Sequence, residues 1–197
     1  MHRMMYKLLL DKITASGIDL DPSEIEVLKS LFYYRKYRKH QYILKESDTL
    51  KYDSFIIKGI VRSYLLDVKG NEHIIKFSPE GWWAADLASF FSGVPSDYNI
   101  DCMEDCEVLQ ISQVNLEILL DKIPRLHKFY HLLYRNSVIA YNQRVAASLR
   151  YTALERYQDF IKKYPDIGQR VPNHQIASFL GITPQSLSRL RNQMSKS

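Results

Sequence analysis

Six polar side chains stand close together near the end of the sequence, with no acidic residue among them: Thr183, Gln185, Ser186, Ser188, Arg189 and Arg191. Hydroxyls, an amide and guanidinium groups are the types that hydrogen-bond base edges and phosphates. Arg189 is the candidate base reader, because arginine is the usual bidentate partner of guanine O6 and N7. Gln185 and Ser186 are the next candidates for base edges. Thr183 is expected to donate to a phosphate, and Arg191 to position the helix on the phosphate backbone.

Such contacts need a rigid support, and the stretch "QIASFLGITPQSLSRLR" (175–191) has the pattern of one. Ile176, Ala177 and Leu180 lie at helical spacing and share a face. Gly181 follows, where a left-handed residue ends a helix at little steric cost. Thr183 can cap a new helix, and Pro184 suits its first position, where no N–H is needed. Leu187 and Leu190 form the apolar stripe of that second helix. Ala177 lies four residues before Gly181 and ten before Leu187, a small residue where two helices would touch. The pattern points to a DNA-binding helix-turn-helix. The plain alternative is any helical hairpin in an all-α domain.

Other residues able to do chemistry are sparse. His127 and His131 are four apart in a helical stretch, but a lone pair of this kind is usually solvated or packed, and no metal is assigned. His73 is the only histidine in the β-rich region. A cupin-like enzyme or metal protein would need clustered His and Glu ligands on adjacent strands. That remains the alternative function, with the C-terminal helices then making protein contacts. No catalytic residue and no cofactor are assigned.

The elements that must position these residues follow from the periodicity. Residues 4–32 read as short helices; in "DLDPSEIEVLKSLF", Asp21 or Ser23 is the cap and Ile25, Leu28, Leu31 and Phe32 share a face. From Tyr42 to Ile111 the segments are short and rich in Ile, Val, Phe and Tyr. Gly59, Gly70 and Gly81 punctuate them at eleven-residue spacing. "IVRSYLLDV" and "EHIIKFS" read as strands, joined by a turn at "VKGN" where Gly70 and Asn71 tolerate positive φ. Regular short strands with turn signals imply a β-barrel or jelly roll. "NLEILLDKI" is a helix stopped by Pro124. A long helix then runs over 125–149, with Leu126, Phe129, Tyr130, Leu133, Ala140 and Ala147 at three- and four-residue steps. Its apolar faces are broad enough to pack on its own barrel and on a partner helix, with Leu133 as an outward position. A helix buried within one subunit is the alternative. Thr152-Ala-Leu-Glu155 is a capping-box sequence that starts "ALERYQDFIKKY".

Composition agrees with a folded protein: 197 residues are 46% hydrophobic. No apolar run approaches the roughly 18 residues of a membrane span. The start, "MHRMMYKLLLDK", does not read as a signal peptide. Cys102 and Cys106 make no disulfide framework, so a reducing cytoplasm is expected. The charge is unevenly spread. Residues 1–149 hold 19 basic and 19 acidic residues, whereas 150–197 hold 8 and 3. The whole net charge of +5 therefore lies with the helix-turn-helix.

Taken in order, helices, a glycine-punctuated β-roll, a long helix and a terminal helix-turn-helix resemble the Crp/Fnr superfamily of bacterial transcription regulators. "IIKGIVRSYLLDVKGNEHIIKFSPEGWW" (56–83), "SGVPSDYNIDCMEDCEVLQIS" (92–112) and the terminal motif carry the resemblance, which extends from about residue 20 onward. It implies an α+β protein. N-terminal helices and a jelly-roll sensor domain like those that bind cyclic nucleotides would span 1–124, a dimerisation helix 125–149, and a small all-α helix-turn-helix domain 150–197. It also implies a homodimer on double-stranded DNA, RNA polymerase as a partner, a small-molecule effector of unknown identity, and no membrane association or enzymatic activity.

Within that resemblance the candidate effector pocket comprises Gly81, Trp83, Asp86, Leu87, Ser96 and Asp97. Members that bind cyclic AMP carry a Gly-Glu pair for the ribose and phosphate, and an Arg-Ser pair that neutralises the phosphate. Here Ala85 and Asp86 fall at the first pair, and Ser96 and Asp97 at the second. A cyclic phosphate needs a cation or several N–H donors, so cyclic AMP is not expected to bind unless Arg62 or Lys76 reaches it. Two cysteines are too few for an iron–sulfur cluster, which takes about four thiolates. No histidine argues for haem. The family's DNA-reading Arg-Glu pair falls at Pro184 and Gln185, and only its second arginine, Arg189, is retained. The β-wing before the motif looks missing or abbreviated in "PDIGQRVPNHQ" (165–175).

Overall fold

The computed structural model describes residues 5–194. Two short helices open the chain, α1 (Lys7–Ala15) and α2 (Pro22–Leu31). Asp21 is the cap of α2: its carboxylate accepts from the Glu24 N–H, and the Glu24 side chain returns to the Asp21 N–H, closing a capping box. Eight strands follow: β1 (Tyr33–Tyr37), β2 (Tyr42–Leu44), β3 (Tyr52–Lys58), β4 (Val61–Leu66), β5 (Glu72–Ser78), β6 (Trp83–Ala84), β7 (Asn99–Cys102) and β8 (Cys106–Ser112). The short helix α3 (Leu87–Ser92) lies between β6 and β7. Two four-stranded sheets form a jelly roll, ordered β1-β8-β3-β6 and β2-β7-β4-β5. The helices α4 (Gln113–Lys122) and α5 (Leu126–Arg150) come next. The chain then continues as α6 (Ala153–Lys163), α7 (Ile167–Arg170), α8 (Asn173–Leu180) and α9 (Pro184–Met194).

The chain divides into two compact units. The first holds residues up to Tyr64 together with Phe77–Tyr134. Its core joins Phe55, Ile56, Leu109 and Ile111 of the roll to Leu116 and Leu119 of α4 and to Leu126, Phe129 and Tyr130 of α5. Register sets two of its contacts. Gln110 lies opposite Ser54 and donates to its hydroxyl at 2.9 Å. Arg62 lies opposite Asp101 and forms a buried two-point ion pair, Nε to Oδ1 at 2.7 Å and Nη2 to Oδ2 at 3.0 Å. Gly59 is required by space as well as by its positive φ, since a Cβ there would lie 2.6 Å from Cys106 Sγ. Cys102 and Cys106 are both buried. A hydrogen bond with Cys106, together with burial, raises the Cys102 thiol pKa well above its ordinary value, so it is held as an unreactive thiol.

The second unit holds Leu65–Lys76, the tip of the β4–β5 hairpin, together with the chain from Arg135 onward. The hairpin turn is built differently from the expected pairing of Gly70 and Asn71 at positive φ. Only Gly70 takes positive φ, at 80°. The Asp67 carboxylate instead gathers the N–H groups of Lys69 and Asn71 and the Asn71 amide. The helical core of this unit contains Tyr157, Phe160, Tyr164, Ile176, Ala177, Leu180 and Leu187. The capping box at Thr152 and Glu155 forms as read. Where a β-wing would precede the helix-turn-helix, the chain makes the single helical turn α7.

Candidate functional site

Helices α8 and α9 form the expected pair. Gly181 takes φ +66° and ψ +37°, and a side chain there would meet nothing. The need for glycine is therefore conformational rather than steric. The Ile182 N–H returns to the Ala177 carbonyl at 3.0 Å, closing the end of α8. Three residues later α9 begins, with the Ser186 N–H donating to Thr183 Oγ1 at 3.2 Å. Ala177 and Leu187 are both fully buried, which sets the crossing of the two helices.

The six polar residues fall into two groups. Gln185, Ser188 and Arg189 are exposed on α9. Arg189 has no hydrogen bond or ion pair to any described residue, so its guanidinium is available to a ligand. Ser188 donates back to the Pro184 carbonyl at 3.1 Å. Thr183 and Ser186 share a hydroxyl hydrogen bond of 2.9 Å at the cap. Arg191 departs from expectation. It donates to the Tyr157 hydroxyl at 3.1 Å and to Asn173 Oδ1 at 2.6 Å. Its guanidinium braces α9 against α6 and the first residue of α8, and those donors are already in use.

The expected pocket residues do not all meet. Asp86 and Ser96 are brought together: the Ser96 hydroxyl donates to Asp86 Oδ2 at 2.7 Å. Asp86 Oδ1 accepts from the N–H groups of Ala88 and Ser89, capping α3. Burial, with Asp86 and Asp97 nearby, raises the pKa of Tyr98. Leu87 is half-buried and Asp97 exposed. Trp83 belongs to the core instead of a pocket wall, with its ring against Phe32, Phe55 and Tyr130. Gly81 makes the turn before β6, its N–H donating to the Ile56 carbonyl at 2.8 Å. Arg62 does not supply the missing phosphate cation, because its guanidinium is committed to Asp101.

On α5, Leu133 also differs from the reading. It is half-buried against the first unit's core, so it is not an outward position. The exposed apolar residues lie further along, in the second unit. Val138, Tyr141, Val145 and Leu149 are 56%, 41%, 61% and 85% exposed and recur at steps of three, four and four. The sequence reading missed three contributors: Arg144, Ser178 and the brace role of Arg191. All three act across long sequence separations, where periodicity carries no signal.

Residues 34–122 match the cyclic nucleotide-binding domain family. The chain is 25% identical over 193 residues to the fumarate and nitrate reduction regulatory protein of Vibrio cholerae, covering 90% of this chain and 75% of that protein. FixK2 from Bradyrhizobium japonicum is similar in structure, with a TM-score of 0.74 at 20% identity over 84% of this chain and 85% of its own. The catabolite activator protein of Thermus thermophilus gives a TM-score of 0.56 at 20% identity, over 92% of this chain and 86% of its own. Among the described residues, no helix is long and apolar enough to cross a membrane.

Proposed function

We propose, from these likenesses, that the chain is a transcription regulator of the Crp/Fnr superfamily and binds double-stranded DNA as a cytoplasmic homodimer. The reading is carried by α9, whose apolar side is buried through Leu187 while Arg189, Gln185 and Ser188 remain exposed. Base reading falls to Arg189, with Gln185 and Ser186 beside it at the helix start. RNA polymerase is the expected protein partner. Selection from random duplexes tests the reading. A near-palindrome should emerge, with half-sites about 34–36 Å apart, one turn of DNA. Affinity should fall steeply with salt as counterions are released. Failure to enrich any sequence would overturn it.

The sensor unit is proposed to act without cyclic AMP. The N–H groups at the start of α3 and the hydroxyl of Ser96 already serve the Asp86 carboxylate. A cyclic phosphate would meet a negative charge where it needs a positive one. Each lost charge-assisted hydrogen bond forgoes about 1.5–3 kcal/mol. Titration calorimetry with cyclic AMP should show no saturable binding, and low-micromolar binding would refute this assignment.

A further inference from the structure

We propose that Arg144 and Ser178 are positioning residues for the recognition helix, pinning α8, and through it α9, to the backbone of the β4–β5 hairpin. This rests on the reading of α9 as the DNA-contacting helix. Ser178 lies on α8. Its hydroxyl accepts from the Ile74 N–H at 3.0 Å and donates to the Glu72 carbonyl at 2.8 Å. One side chain thus satisfies a donor and an acceptor two residues apart on the edge of β5, as a neighbouring strand would.

Arg144 completes the join from α5. Its guanidinium donates to the carbonyls of Ile75, Ile74 and Phe179, the last two at 2.9 and 3.4 Å. It also lies over the Phe179 ring, 4.4 Å from the centroid. Burial lowers the pKa of Arg144, and three carbonyl acceptors compensate for the lost water. Three elements of the second unit therefore meet at one cation: α5, β5 and the last turn of α8. A second arginine holds the same turn, as Arg156 Nε donates to the Leu180 carbonyl at 3.2 Å.

The hairpin side of the contact is itself stiff, because Asp67 ties its turn together. On the other side only Gly181, Ile182 and Thr183 separate α8 from α9. The orientation of Arg189 therefore follows that of α8, and α8 is referenced to β5. Reading a base edge demands placement within about 0.5 Å. Attraction to phosphates does not, and it carries no sequence information. Loosening the join should cost discrimination and spare non-specific binding.

The test uses the full chain with Ser178→Ala, Arg144→Met and Ser178→Thr. Methionine keeps most of the arginine's packing and removes its donors, while threonine keeps the hydroxyl. Affinity is measured for the selected site and for a random duplex of equal length. Ser178→Ala and Arg144→Met should each lower the ratio of the two roughly fivefold to tenfold. Random-duplex affinity and salt slope should stay at wild-type values, and Ser178→Thr should keep the wild-type ratio. An unchanged ratio, an equal fall in both affinities or tighter specific binding would overturn the proposal. Should the wild type prefer no sequence, the DNA reading itself fails, and the join is then judged by hydrogen exchange. Arg144→Met should speed exchange of the α9 amides around Leu187 about tenfold, and unchanged protection would count against it.

Discussion

Replacing Arg189 with alanine should weaken the preferred DNA site far more than it weakens random DNA. The expected loss is about 1–3 kcal/mol at each half-site, the worth of one bidentate arginine–guanine pair. Preference should relax at one base per half-site, with the salt dependence nearly unchanged. The physical basis is the contrast between two arginines on one helix. Arg189 is exposed and makes no hydrogen bond within the described chain, whereas Arg191 is spent on Tyr157 and Asn173. Arg191→Ala should therefore lower the melting temperature and weaken both kinds of DNA binding together. Competition binding with the selected site and a scrambled duplex separates the two variants. If Arg189→Ala reduces specific and random affinity by the same factor, Arg189 is a phosphate contact.

Val145→Glu is expected to produce monomers with poor DNA binding. Val138, Tyr141, Val145 and Leu149 form one exposed apolar stripe on the last part of α5, a pattern that soluble helices bury against a partner. A second copy of the same helix would cover it, and a glutamate there would set two carboxylates in an apolar seam. Val145 is 61% exposed in the single chain, so the substitution leaves that chain's own packing intact. Linking two DNA-binding helices raises affinity by roughly 10²–10⁴ through effective concentration, and that factor should disappear with the dimer. Sedimentation at micromolar concentration measures the first effect and binding to the palindrome the second. A monomeric wild type, or a variant that remains dimeric, would remove α5 as the interface. Leu133 is a poor place for this test, because charging it would damage the first unit's core.

Some of this architecture was legible from neighbouring residues alone. The cap of α2, read as Asp21 or Ser23 and found at Asp21, the capping box at Thr152, the left-handed Gly181, the start of α9 at Pro184 and the long α5 all arise from interactions within a few positions. Local hydrogen bonds and periodic burial leave a mark in the order of residue types. The order of elements then carried the resemblance to a regulator. The roll's glycines were read as turn signals, and Gly59, Gly70 and Gly81 do take positive φ.

The roles of individual side chains were decided elsewhere. Trp83, read as a pocket residue, is core because the chain folds Phe32, Phe55 and Tyr130 around it. Asp86 and Ser96 become one hydrogen-bonded pair although ten residues separate them. Arg144 reaches carbonyls on β5 some 70 positions earlier in the chain. Arg189 and Arg191 are the same residue type, two positions apart on one helix. Only the packing of α6 and α8 against α9 decides that one guanidinium is tied down and the other left to solvent. Sequence order thus determined which segments are helix, strand and turn, because those choices are made between near neighbours. Tertiary structure alone decided which charged and polar groups remain available for binding, because that depends on partners brought close in space from far along the chain.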